Sequence, residues 1–361
     1  KQDKMKKILL LTAAGFSTLG LIAQEQRIPL LEMESASTCP PCRPGNIYFE
    51  GQMEGIPKEE YVKIKYQWYY PGVGDPYCTD ESVNRTAYYG VNGVPNLVID
   101  GTYYNDHPQG GFTTATFNAA KAVPATYKLS GTYVIVGQDV HVNIKYTPLE
   151  QGTNARLFVA IIESETEKNK MTNGETKFYN VMKKMLPNDQ GTDISSTALN
   201  TEATTTLSFK FEGEYRLPPG SAGPYVSQRI NHATEHSVES FDNLKVVAWV
   251  QGSDKAVYQA ANLTKETTAI DHVSNTVQSV SIYPNPTQSD INIKFQMSEA
   301  DMINASIVSL TGKVVKNQQV QLNKGTNVIT FDTNELPSGA YNIIIFDSKN
   351  NSFAQRVSVV K

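Results

Sequence analysis

Three cysteines, two tryptophans and five histidines in 361 residues leave little side-chain chemistry that binds metals or exchanges electrons. Positive charge is not in excess either. The 32 lysines and arginines face 36 acidic residues, a formal net charge of −4, which excludes the basic field that holds nucleic acid. No P-loop, GxGxxG or GxSxG elbow occurs. His232 and His236 in "NHATEH" lack the glutamate of an HExxH site and read as a solvated pair. A long apolar run occurs only near the N-terminus, Ile8 to Ala23, and it is shorter than the ~20 residues a membrane span needs. Lys6 and Lys7 follow Met5 directly, so residues 1–23 read as a secretory signal peptide, with residues 1–4 preceding the start methionine. No cysteine closes the run to take a lipid. The mature chain is expected to begin near Gln24, in an oxidising compartment where disulfides persist.

What is present divides into segments. Residues 24–124 hold every cysteine and alternate strand-like stretches ("RIPLLEME", "YVKIKYQWY", "VPNLVID") with helix-like ones ("GNIYFEGQM", "ESVNRTAYYG", "FTTATFNAAKAV"), the pattern of an α/β layer. Over 125–263, alternating or apolar runs separated by Gly, Asp, Asn and Pro predict an antiparallel β-sandwich, interrupted by a polar insertion at roughly 164–204. Residues 264–280 are Thr/Ser-rich and read as a linker. Residues 281–361 form a further all-β unit with turns at "TG", "NKG" and "SG". The expected fold class is therefore multidomain, α/β followed by all-β.

The sharpest local signal is "ASTCPPCRPG", which spaces Cys39 and Cys42 as CxxC. In an exported chain beside a βαβ pattern, that spacing reads as a redox couple. If Cys39 caps a helix starting at Pro40, unsatisfied amides and the helix dipole stabilise its thiolate, and Cys42 one turn on resolves mixed disulfides. Pro40 and Pro41 carry no amide to offer the sulfur, which moderates the effect, while Arg43 partly restores it. Pro44 and Gly45 predict a kink or restart near Asn46. Two other readings stay open. One is a stable Cys39–Cys42 bridge on a non-catalytic surface binding protein. The other is a Cys₃His zinc scaffold completed by Cys78 and His107, although only half of a paired-CxxC site is present and no metal or cofactor is assigned. Cys78, the odd cysteine, is a free thiol, a resolving partner or an intermolecular link.

"YGVNGVPNLVIDG" places Pro95 directly before an apolar strand, an arrangement that resembles the thioredoxin fold. That resemblance implies a cis proline lying against the CxxC, with Val94 free to pair with an extended substrate as an added strand. The segments "LLEMESASTCPPC", "GVGDPYC", "GVPNLVIDG" and "YNVMKKMLPNDQGT", in that order over about residues 25 to 262, resemble the 28-kDa outer-membrane-protein-related family, a secreted thioredoxin-like domain followed by a β-sandwich. The resemblance implies Glu32 as the carboxylate that accepts the Cys42 proton; Glu34 points the same way along the strand. Two departures are Thr38, where thioredoxins carry Trp, and Pro40, where they carry Gly. The implied function is thiol–disulfide exchange on extracytoplasmic polypeptides bearing thiols or disulfides.

At the C-terminus, "SIYPNPTQSDINIKF", "ELPSGAYNIIIF" and the terminal Lys361 resemble the C-terminal sorting domain of the type IX (Por) secretion system of Bacteroidota. The resemblance implies an Ig-like sandwich, the outer-membrane translocon as a partner for 281–361, and a product that is released or joined to surface glycolipid. A plain adhesive Ig-like module is the alternative.

Overall fold

The structure is a computed structural model, and it describes residues 25–150, 154–217, 229–265, 276–310, 313–349 and 351–361. The signal-peptide expectation falls outside these residues, as does most of the expected linker. The chain is mostly β and multidomain.

The N-terminal half follows the expected alternation. β1 (Leu30–Ser35), α1 (Cys42–Gln52), β2 (Val62–Gln67), α2 (Asp80–Tyr88) and β3 (Asn96–Ile99) are joined by a short β4 (Tyr104–Asp106) and by α3 (Thr114–Lys121). Polar β4 has no alternation to announce it. Caps fix two helix starts: the Thr79 side chain accepts from the Ser82 amide, and Thr113 with Thr116 forms a capping box.

Beyond residue 124 come β5 (Tyr127–Val136), β6 (Asp139–Pro148), β7 (Arg156–Thr166), β8 (Phe178–Leu186), β9 (Ala203–Lys210), β10 (Leu244–Gln251) and β11 (Val257–Asn262). The expected boundary at 124/125 is not a break in the main sheet. Its long strands run β11-β10-β7-β8-β2-β1-β3-β4, so four strands from the later segment continue the first. The joining strand is β8, parallel to β2 at Lys65↔Val181, and it lies inside the stretch that reads as a polar insertion. Its polarity is internal. Lys183 is buried in an ion pair with Glu163 at 3.0 Å, and Lys184 reaches Glu81 of α2.

One face of this sheet carries Leu30, Ile64, Tyr66, Met182 and Trp249, with α2 above it. On the other face, α1 and α3 cover β1 and β3 through Met33, Phe49, Leu97 and Phe117. The same face of β7 and β10 packs on a second sheet, β9-β6-β5, through Val142, Ile144, Val159 and Val246. Two-residue strand Thr264–Lys265 extends that second sheet, so the expected linker begins as paired chain.

The linker's other end is structured too, because β12 (Val277–Tyr283) starts inside it. With β13 (Asp290–Met297), β14 (Asp301–Ser309), β15 (Val314–Leu322), β16 (Gly325–Asp332), β17 (Gly339–Phe346) and β18 (Ser352–Val359) it forms a two-sheet sandwich, β12-β13-β16 against β15-β14-β17-β18. Alternation explains the core: Ile291, Ile293 and Phe295 point inward with Ile303, Ile307, Ile343 and Ile345.

Candidate active site

After Ser35 the chain leaves the sheet in a tight turn. The Cys39 amide donates to Ala36 O at 3.0 Å and the Cys42 amide to Cys39 O at 3.1 Å. Cys39 and Cys42 are joined as a disulfide, their Cα atoms 5.3 Å apart. The helix begins at Cys42 with Pro41 as N-cap, not at Pro40 with Cys39 as cap. Two consecutive prolines supply no amide, so the first available one, on Cys42, closes the turn. The expected kink near Asn46 is also absent: α1 is continuous, because Pro44 is its third residue and its missing N–H falls where no intrahelical partner exists.

Val94–Pro95 is a cis peptide immediately before β3. Cys39 Sγ lies 3.4 Å from Val94 O. Gly45 completes the approach. A Cβ there would sit 2.7 Å from Pro95 Cγ and 3.6 Å from His107 Cε1, so only glycine lets α1 lie against the proline. Stretches fifty residues apart in sequence thus share one spot.

Two loops strap the turn. Asp75 of the "DPY" segment accepts from the Ser37 amide at 3.0 Å and the Tyr77 amide at 2.9 Å, and burial raises its carboxyl pKa. Thr38 donates its hydroxyl to Pro71 O at 2.7 Å. From the β7–β8 connection, Asn173 donates its amide to Ser37 O at 2.9 Å and its side chain to Ala36 O at 3.2 Å. Glu175 receives both Asn173 and Asn46 of α1. Beneath these straps Cys39 is 1% exposed and Cys42 is fully buried. Asp75 enters the sequence reading only within "GVGDPYC", and Asn173 and Glu175 are absent from it, because no local pattern relates positions so far apart.

Glu32 is not placed for the role the resemblance implies. Alternation turns it, with Leu30, to the sheet face away from α1. There it pairs with Arg85 at 2.6 Å and accepts from Tyr66 at 2.8 Å and Tyr89 at 2.5 Å. Arg85 in turn lies over Trp249, Phe158 and Tyr89. Glu34 is different. Burial, followed by the charge of Glu32, pushes it up to about 8. Its Oε2 accepts from Asn96, the residue after Pro95, at 3.3 Å, while Oε1 has no hydrogen-bond partner among the described residues.

Cys78 is a buried free thiol ahead of α2, its Sγ 3.7 Å from Thr79 O, and burial pushes its pKa up to about 12. With Cys39 and Cys42 bonded to each other, the Cys₃His zinc set does not assemble among the described residues. A cleft of about 890 Å³ lies elsewhere, between β6 and the C-terminal sandwich around His141 and Phe346, and holds no cysteine.

Residues 281–360 match the model of the secretion system C-terminal sorting domain. This tail marks the protein as exported, either attached at the cell surface or secreted. No curated protein matches the chain. Among solved structures, HBP35 of Porphyromonas gingivalis is similar in fold, with a TM-score of 0.50 at 15% identity over 93% of this chain and 99% of that one. The BSP domain of a biofilm associated protein (TM-score 0.21, 12% identity, 74% of this chain and 59% of that one) superposes too loosely to bear on the fold. So does dimeric latent PorU from Porphyromonas gingivalis (TM-score 0.21, 10% identity, 79% and 38%).

Proposed function

We propose that this exported protein exchanges disulfides with extracytoplasmic polypeptides through Cys39 and Cys42. The observation that carries the reading is the meeting of Cys39 Sγ with the Val94 carbonyl beside Pro95, at 3.4 Å. Strand order supports it. With parallel β1–β2, antiparallel β1–β3 and β3–β4, and α1 directly after the first strand, residues 25–124 have the order of a thioredoxin-like layer whose outer strand is supplied by β8. The same reading assigns residues 25–262 to the 28-kDa outer-membrane-protein-related family, with Asp75 of its "DPY" segment holding the Ser37 amide.

In the reducing direction the Cys39 thiolate attacks one sulfur of a substrate disulfide, forming a mixed disulfide and expelling the other substrate sulfur as thiolate. Cys42, having lost its proton, then attacks Cys39 Sγ. The second substrate sulfur leaves, and the protein retains the Cys39–Cys42 bridge. The oxidising direction is the reverse. Glu34 replaces Glu32 as the proton carrier, because a carboxyl at about 8 gains and loses a proton near neutral pH. Val94 offers its backbone to an extended substrate, which adds as a strand. Opening of the straps at Pro71 and Asn173 exposes Cys39 to that substrate. Residues 281–361 address the chain to the type IX outer-membrane translocon, after which the product is released or joined to surface glycolipid.

The test is a Cys42→Ala variant, whose reduced Cys39 traps mixed disulfides with disulfide-bonded or scrambled polypeptides, together with the alkylation rate of reduced Cys39 at neutral pH. If nothing is trapped and Cys39 reacts no faster than an ordinary thiol, exchange is wrong. Burial of both cysteines favours a second reading, a stable bridge in a surface binding protein. That reading expects glutathione to leave the bridge intact and its removal to cost about 2–4 kcal/mol.

A further inference from the structure

At the seam between the helical half and the sandwich, a cavity of about 360 Å³ opens beside α1. Its floor is Lys65 of β2, which is 2% exposed. An ammonium so buried is costly unless paired. Yet among the described residues Lys65 makes no hydrogen bond or ion pair, unlike its neighbour Lys63, which is bound to Glu50. The carboxylates at the rim attract Lys65 through space without touching it. Glu50 holds Lys63, and Glu175 receives Asn46 and Asn173. Arg43, on the exposed side of α1, is also without an ionic partner, its guanidinium lying against Gly174. Lys65 and Arg43, neither in a direct ion pair, therefore face one cavity together with Lys177 and the carboxylates of Glu50 and Glu175, and its remaining wall includes the exposed side chains of Ile47 and Tyr179. The buried ammonium is thus compensated only at a distance, and it lacks a direct acceptor on its cavity side.

We propose that this cavity binds a small organic carboxylate with an aromatic or branched apolar body. The carboxylate sits between the Lys65 ammonium and the Arg43 guanidinium, and the body rests on Ile47 and Tyr179. A guanidinium grips a carboxylate through paired N–H donors, and the ammonium supplies a compact charge below it. Burial and the charge of Lys63 hold the Lys65 amine down to about 8, so it remains mostly protonated at neutral pH.

The experiment is calorimetric titration of the bridged protein at pH 7, a form in which binding is measured whether or not the cysteines exchange. The probes are 3-phenylpropionate and its amide. Expected is one site for the acid, with the amide weaker by about tenfold or more, the factor given by a lost charge-assisted contact. Arg43→Gln, at an exposed position, should weaken the acid by about tenfold and leave the amide unchanged. Lys65→Met should do the same while raising thermal stability, because it removes an unpaired buried charge. An acetylated dipeptide with a free C-terminus separates two sources of the ligand. Tighter binding than phenylpropionate identifies polypeptide chain ends, and weaker binding identifies free acids. Equal affinity for acid and amide, no measurable heat, or an Arg43→Gln variant that binds as the parent does would overturn the assignment.

Discussion

The CxxC-bearing half and the C-terminal sandwich are both built around sheets, but their interiors differ in kind. In the sorting domain the core is aliphatic and aromatic, and its buried polar groups are mainly short hydroxyls such as Thr287, Ser306 and Thr333. In the other half, Glu32, Glu34, Lys63, Lys65, Asp75 and Arg85 are all buried. Ionic interiors are poor stabilisers compared with apolar ones of the same volume. Glu32 is held by Arg85 and Lys63 by Glu50, partners on other elements, so this half depends on the protonation of its interior.

The largest effect that tests this contrast is expected at Arg85. Replacing it by Met strands the Glu32 charge among Tyr66, Tyr89 and Trp249, and should cost about 3–5 kcal/mol in urea unfolding of the full chain. In the sorting domain, Ile293→Ala should cost about 2–5 kcal/mol through a cavity alone, with no dependence on pH between 5 and 8. A pH-dependent cost at Ile293, or an Arg85 variant as stable as the parent, would erase the distinction.

Glu34 supplies the next test. Its pKa is raised in the folded protein to about 8, so the folded state holds a proton that the unfolded chain releases near 4.5. The associated stability is complete below the unfolded value and is lost as pH rises through the folded one, at about 1.4 kcal/mol per pH unit where the two states differ by a full proton. Glu34→Gln should remove this slope between pH 5 and 8, read as the change in urea midpoint with pH. An unaltered slope would place the titration elsewhere. The smallest effect belongs to Cys78. With its thiol at about 12 and buried, it should resist iodoacetamide at pH 8 in the native protein and react on unfolding, as mass spectrometry would show. Rapid native labelling would mean that α2 opens locally.

Much of this contrast is visible before any coordinates. Alternation in "DINIKF" and "AYNIIIF" defines the sorting domain's strands because one face is buried and the other is wet. β8 is hidden for the opposite reason. Lys183 and Lys184 make it read as loop until Glu163 and Glu81 are found on other elements. The two candidate carboxylates show the same limit. Both are visible on one strand, but which of them meets Arg85 and which meets Asn96 depends on partners fifty to sixty residues away.

By itself, then, the sequence determined that the protein is exported, that its tail is all-β, and that it holds a CxxC and a proline-led strand, since each is written in short-range spacing. Tertiary structure decided that the two segments on either side of residue 124 share one sheet, that Cys39 meets the proline loop, that Glu34 and not Glu32 bonds Asn96, and that Lys65 and Arg43 face one cavity. Desolvation and ion pairing act through space between distant residues, and a single chain read in order carries no measure of those distances.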